Sequence, residues 1–168
     1  MSDFMLEDGI WKSSQPIHSL GLRSINVYIM QEQAEPSFAQ LNTLSNFQSL
    51  SSSGLQAELN PYAIKYFQSI DLIVDLAEEG IEIDPSTIEK YYSIESILIP
   101  QLLHCTDRFV FLSANCEWEE EHGMEFLLMN EKVLWCGDHT TLAFSKQWEQ
   151  ILFSESVDRR KMIQSILG

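Results

Sequence analysis

Between Cys116 and Gly123 the chain gathers one thiol, the carboxylates of Glu117, Glu119, Glu120 and Glu121, and the imidazole of His122. Nowhere else are reactive side-chain types so dense. Such groups could move a proton, with His122 as the acid or base and Glu121 or Glu117 orienting its ring. Nucleophilic hydrolysis would need a Ser or Cys on a sharp elbow, and no Gly-x-Ser-x-Gly is present. A glycine-rich phosphate loop is missing as well. For zinc, His104, Cys105, Cys116, Cys136 and His139 are the right ligand types, but a closed site takes about four of them. The sequence holds neither Cys-x-x-Cys nor His-x-x-x-His, so Cys116 and Cys136 read as small core residues near strand ends. A calcium loop over Glu117 to Glu121 would lack alternating oxygen ligands and a central glycine. The expectation is therefore no catalytic set, no metal and no cofactor.

The same residues also admit a structural role. Trp118, Glu121, His122 and Gly123 form a Trp-x-x-Glu-His-Gly pattern between two apolar runs. Gly123 allows a backbone angle that other residues resist, and Trp118 can pin the connection onto a core. Glu121 and His122 would then fix the turn through hydrogen bonds to backbone.

The elements that position this corner are legible in the hydrophobic pattern. Upstream, Ile10 to Gln15 and Leu22 to Met30 read as a strand pair around a turn at Ser19-Leu20-Gly21, with Ile25, Val27 and Ile29 alternating against polar residues. Pro16 belongs near the first strand's end or on a sheet edge, because it cannot donate to a ladder. A helix is expected over about 36–48, opened by Pro36, with Phe38, Leu41, Leu44, Ser45 and Gln48 along one face. Ser53 is the expected cap of a second helix carrying Leu55, Leu59, Tyr62, Tyr66, Phe67 and Ile70, with room for a kink or a restart at Asn60-Pro61 and an extension to about Ala77. A short helix over Ser86 to Tyr92 follows. Then Ile94 to Pro100, Arg108 to Ala114, Met124 to Met129 and Lys132 to Cys136 read as a four-strand meander, with Asn130-Glu131 as a two-residue hairpin link. In the tail, Thr140 or Thr141 would cap a helix with Phe144, Trp148, Ile151 and Leu152 on one face, and Val157, Met162, Ile163 and Ile166 mark another. Arg159-Arg160-Lys161, the one basic cluster, reads as a solvated face or a helix-end complement to the acids. Strands, helices, strands, helices without βαβ alternation make an α+β domain with a mostly antiparallel sheet, an N-terminal strand pair plus a C-terminal meander, two or three central helices and a helical tail. Whether the tail after about Phe153 docks on the domain stays open.

The 168 residues, 45% of them hydrophobic, suffice for one domain with a sizeable core. Ten bases against 25 acids give a net charge of -15, spread over both halves. Such a polyanion repels phosphate backbones and anionic membrane surfaces, so nucleic acid and membrane are poor partners and a basic protein is a good one. The start of the chain has acids where a secretory signal has bases, no apolar run spans a bilayer, and three dispersed cysteines suit a reducing compartment. The expected location is cytoplasmic.

Several of these features together resemble a known family. Ile25 to Met30, Pro36 with Gln40 after it, Ile97-Leu98-Ile99-Pro100, Trp118 to Gly123 and Val133-Leu134-Trp135-Cys136-Gly137 are similar to an uncharacterised bacterial domain-of-unknown-function family whose hallmark is Trp-Asp-x-Glu-His-Gly. Here Glu119 stands in place of the Asp. The resemblance implies one domain over 1–168, with a family-like core at 8–139 and a helical extension at 140–168. It implies a bacterial setting and, because similar small domains accompany polymorphic toxins, an immunity protein. On that basis the leading expectation is an acidic, non-enzymatic protein that neutralises a basic toxin. Glu117, Glu119, Glu120 and Asp138 would meet the partner's Lys and Arg, and exposed aromatic residues would anchor it. Two other readings remain: an enzyme or metal-dependent hydrolase using Glu121 and His122, or a structural or scaffold module that forms an obligate homo-oligomer.

Overall fold

The computed structural model describes residues 4–17, 20–31, 35–102, 106–139, 143, 145–154 and 156–167. Seven strands form one sheet in sequence order: β1 (Met5–Glu7), β2 (Ile10–Ile17), β3 (Leu22–Met30), β4 (Tyr92–Ile99), β5 (Phe109–Cys116), β6 (Met124–Met129) and β7 (Lys132–Gly137). All neighbours are antiparallel except β3 and β4, which run parallel from Asn26↔Ser96 to Ile29↔Ile99. The strand pair and the meander are thus halves of one α+β sheet. A parallel pair cannot be closed by a hairpin, and the long crossover between these two holds α1 (Phe38–Gln48), α2 (Ser52–Asp71) and a 3-10 helix (Pro85–Lys90). β1, three exposed residues at the edge, has no hydrophobic pattern to announce it.

Alternation along the strands sends side chains to two apolar layers. Ile25, Val27, Ile29, Ile97, Ile99 and Leu112 face Leu44, Phe47, Leu55, Leu59 and Phe67 of α1 and α2. On the other face Phe109, Phe111, Leu127 and Met129 meet Trp148 and Ile151 of α3 (Lys146–Phe153) and Ile163 of α4 (Ser156–Leu167). Because β6 is covered on both sides, all six of its residues are buried, Glu125 among them.

Helix boundaries follow polar caps more than apolar pattern. Ser37 rather than Pro36 starts α1, in a capping box with Gln40, whose side chain accepts from the Ser37 amide at 2.9 Å. The buried face of α1 is Gln40, Thr43, Leu44 and Phe47, while Phe38 is 86% exposed, so the expected face is corrected. Gln40 turns inward because its amide donates to the carbonyls of Met30 (2.7 Å) and Pro100 (3.1 Å), at the ends of β3 and β4. Ser51, not Ser53, caps α2, which runs through Pro61 and stops at Asp71. The apolar Leu72-Ile73-Val74 does not prolong the helix. It lies in a turn, with Leu72 88% and Ile73 81% exposed. The segment expected to be helical to Tyr92 ends at Lys90, and Tyr92 opens β4.

The β6–β7 link is as expected, with Asn130 (φ 50°) and Glu131 (φ 64°) both left-handed, the geometry a two-residue hairpin demands. Asn130 donates its amide to the Arg108 carbonyl (2.8 Å) and its side chain accepts from the Arg108 amide (3.0 Å), while Arg108 grips Glu131 through two bonds of 2.7 and 2.8 Å. Ser145 caps α3; the Thr140 and Thr141 alternatives, Phe144, and the side chains of Leu152, Val157 and Ile166 lie outside the described residues. The tail docks on the domain. Arg159 corrects the reading of a solvated basic face: it is buried and ion-paired with Asp107 beside the β6–β7 hairpin, whereas Arg160 and Lys161 are exposed. Among the described residues no helix is long and apolar enough to cross a membrane.

Candidate functional site

The corner joining β5 to β6 is a compact, internally bonded turn. The Glu119 amide reaches the Cys116 carbonyl at 3.4 Å, and the Gly123 amide donates to the Glu119 carbonyl at 2.9 Å. Gly123 has φ +66°, and a Cβ there would stand 2.7 Å from the Ala114 carbonyl oxygen. Both the backbone angle and the close approach to β5 demand glycine. Trp118 is 3% exposed and meets Phe67 of α2 and Tyr92 of β4 edge-on, at 5.8 and 6.5 Å between ring centres. It holds the turn against α2 and the head of β4. The Glu117 amide adds a bond to the Tyr91 carbonyl at 3.0 Å, and the Tyr66 hydroxyl donates to the Gly123 carbonyl at 3.5 Å.

His122 is exposed, and its Nδ1 lies 3.2 Å from Glu119 Oε1. Its partner is thus Glu119, neither Glu121, nor Glu117, nor backbone, as the sequence had suggested. The (i, i+3) spacing inside a turn brings residues 119 and 122 to one side. A carboxylate-oriented imidazole could carry a proton, but the nearby thiol is a poor nucleophile. Cys116 donates to the Glu119 carbonyl at 3.8 Å, and burial pushes its thiol up to about 12. Cys136 is half-buried and its thiol is pushed up by burial and then by Cys116. Among the described residues no group of three or more His, Cys, Asp or Glu is placed to hold a metal; His104 and Cys105 lie outside them. His139 sits at the end of β7 with Nε2 3.3 Å from the buried Glu125, on the face of the sheet that α3 and α4 partly cover.

What the fold adds to the corner is a wall. Glu117, Glu119, Glu120 and Glu121 line a concavity of about 610 Å³ together with Glu79 from the loop after α2. Its apolar lining comes from Ile70, Val74, Leu76, Ile81 and the edge of Trp118. Five carboxylates therefore rim an apolar floor. Asp138 is exposed and lies outside that wall, though close enough that it and Glu119 both push the Tyr66 phenol up, after burial as the main cause. Glu79 and the floor had no local signal in the sequence. They arrive from residues 70–81, forty positions before the corner, through the chain reversal at the end of α2. Leu72 (88%), Ile73 (81%) and Val74 (43%), all aliphatic, are exposed next to the lining residue Ile70 in the chain, while the exposed aromatic Phe38 lies on α1.

Fold and site together define an α+β domain with one seven-stranded sheet sandwiched between helix pairs, carrying an acidic, apolar-floored hollow at the β5–β6 corner. Comparison with family models makes the assignment more particular. The chain belongs to the family described as a domain of unknown function, DUF6985, which matches residues 3–144. Neither the curated proteins nor the solved structures hold a match to it.

Proposed function

We propose that this protein is a non-enzymatic binder of a basic protein, and that the partner is a toxin it neutralises, as an immunity protein does. The observation that carries the reading is the hollow in which five carboxylates surround an apolar floor beside the exposed Leu72 and Ile73. Carboxylates set on a low-dielectric floor attract Lys and Arg over long range and speed encounter. The aliphatic stems of those side chains can lie on the apolar floor while their charged ends meet the rim. Leu72 and Ile73 supply the area that excludes water once the partner is seated. Glu117, Glu119 and Glu120 contact the partner directly, and Asp138 adds to the field. The bacterial setting and cytoplasmic location belong to the same proposal.

Co-expression with the product of the adjacent gene tests it. The expected result is that the neighbour is toxic alone, that this protein restores growth, and that Glu117→Lys with Glu120→Lys abolishes both rescue and complex formation. A neighbour that is harmless, or one rescued equally well by the charge-reversed variant, overturns the proposal.

A further inference from the structure

Three of the exposed large apolar side chains stand in one unbroken run, Leu72, Ile73 and Val74, at the turn that ends α2. The run is not slack chain. The amides of Ile73 and Val74 both donate to the Ile70 carbonyl at 2.9 Å, and the Ile81 amide donates to the Leu76 carbonyl at 2.8 Å. Asp71 and Asp75 accept from the Leu76 and Glu78 amides, and Leu76 itself is buried in the core. With these backbone groups satisfied and Leu76 holding the turn down, what faces water is a fixed set of aliphatic side chains. Leu72 and Ile73 touch almost nothing of their own chain, so they stand off the surface as a knob. Contiguous apolar surface of this kind marks a contact with something else.

The charge around the knob selects what can cover it. From residue 66 to residue 84 the chain carries six acids and no base, and all six are exposed. None of them makes an ion pair among the described residues. Two copies meeting knob to knob would press these acids together between chains that each carry a net charge of -15, so self-association is opposed. A bilayer is a poor match as well, because no Trp, Tyr, Lys or Arg lies between residues 68 and 89 to settle among headgroups, and anionic lipid repels the flanking acids. A basic protein surface with an apolar depression satisfies both features at once. We infer that the turn at 72–74 is a plug: it enters an apolar socket on the partner whose rim carries Lys or Arg, and the flanking Asp71, Asp75 and Glu78 meet that rim. The inference rests on the binder reading above and adds which segment enters the partner and what shape receives it. Side chains that stand this far off the surface are covered only by a concave partner, since a flat one leaves their flanks wet. Because the turn is already ordered, seating it loses little conformational freedom, the condition under which a short segment binds tightly.

The test is binding of the full chain to the product of the adjacent gene, measured by surface plasmon resonance. Leu72→Asp with Ile73→Asp removes the apolar contact while adding charge that a basic partner attracts, so any loss reports the socket. It should weaken binding at least about a hundredfold, chiefly through faster dissociation. Leu72→Ser with Ile73→Ser, which adds no charge, should weaken it about tenfold. Both variants should keep the wild-type urea midpoint, because these side chains pack against almost nothing in their own chain. Glu78→Gln with Glu79→Gln should slow association severalfold and leave dissociation nearly unchanged. Binding by both apolar variants within about threefold of the wild type would overturn the inference. So would a wild-type dimer that sediments as a monomer after Leu72→Asp with Ile73→Asp, which would make the turn a contact between copies. Flotation with phosphatidylcholine vesicles that the same change abolishes would assign the turn to a membrane and overturn it too. If the apolar variants bind normally but Glu117→Lys with Glu120→Lys does not, the plug falls and the binder reading stands. If the neighbour binds no form of the chain, both fall.

Discussion

Replacing Gly123 by alanine should destabilise the protein far more than the same change at Gly80. The two positions share a left-handed backbone, φ +66° and +80°, but differ in surroundings: a Cβ at Gly80 meets nothing within 4 Å, while one at Gly123 would lie 2.7 Å from the Ala114 carbonyl oxygen. The conformational part of the cost, common to both, is about 1–2 kcal/mol. At Gly123 the neighbour is backbone of β5, which cannot swing aside as a flexible side chain can. Relief requires β5 and the corner to separate, loosening the Gly123 bond to Glu119 and the edge-on contacts of Trp118. Forced local overpacking costs about 1–3 kcal/mol further. Gly123→Ala should thus lose about 2–5 kcal/mol and Gly80→Ala about 1–2. With about 2–4 °C per kcal/mol for a chain of this size, the Tm values should fall by roughly 4–20 °C and 2–8 °C respectively. Urea unfolding of both variants, followed by tryptophan fluorescence and by circular dichroism, measures the difference. A Gly123→Ala loss within about 0.5 kcal/mol of the Gly80→Ala loss would refute the packing of the corner onto β5.

Further outcomes follow from the buried polar groups and the titrations. Gln40→Leu should cost about 2–4 kcal/mol in urea unfolding, because the Met30 and Pro100 carbonyls both lose their donor at the ends of the parallel pair and the capping box goes with them. Arg159→Ala removes the buried guanidinium that pairs with the partly buried Asp107 carboxylate, and should cost about 1–4 kcal/mol and expose α4 to limited proteolysis; Arg159→Met, which keeps the stem but not the charge, should restore only part of that loss. The Cys116 thiol, pushed up to about 12 by burial, should resist alkylation in the native protein at pH 8 and react on unfolding, and fast native labelling would contradict its placement. Alkali should unfold the chain: Cys116, Cys136, Tyr66 and Tyr92 are all raised by burial above their ordinary 9.0 or 10.0, so the folded state favours their neutral forms. That stabilisation is complete below about pH 9 and is lost as pH rises through the folded values, by about 1.4 kcal/mol per unit for each group that ionises only on unfolding. The part of the phenolate absorbance that Tyr66→Phe and Tyr92→Phe remove should rise in step with loss of circular dichroism, and its rise well before unfolding would count against the placement of these two rings.

How far the site could be read from sequence depends on how each part is encoded. The meander was legible because β4 to β7 are joined by short links and their apolar runs carry the pattern themselves, down to the left-handed Asn130-Glu131 pair. The parallel contact of β3 with β4 was not, since it is settled by how a sixty-residue crossover folds back, and its one polar lock, Gln40, sits where an apolar residue would be looked for. The same distinction governs the corner. Glu117, Glu119, Glu120 and Glu121 were visible because they fall within five residues, yet clustered acids alone describe only a solvated turn. They become the rim of a hollow because α2 stops at Asp71, short of where its apolar pattern continues, so that Leu72, Ile73 and much of Val74 are left in solvent while Leu76 and Ile81 turn back under the corner. The apolar run alone favoured continuing the helix there, since Ile73, Val74 and Asp75 are weaker helix formers. The caps decided otherwise: Asp71 accepts from the Leu76 amide at 3.4 Å and Asp75 from the Glu78 amide at 3.3 Å, each carboxylate offering the backbone a turn in place of a helical bond. Where local side-chain hydrogen bonds override an apolar pattern, the apolar residues left over are exposed or re-aimed, and here they are the ones that give the acidic corner a floor.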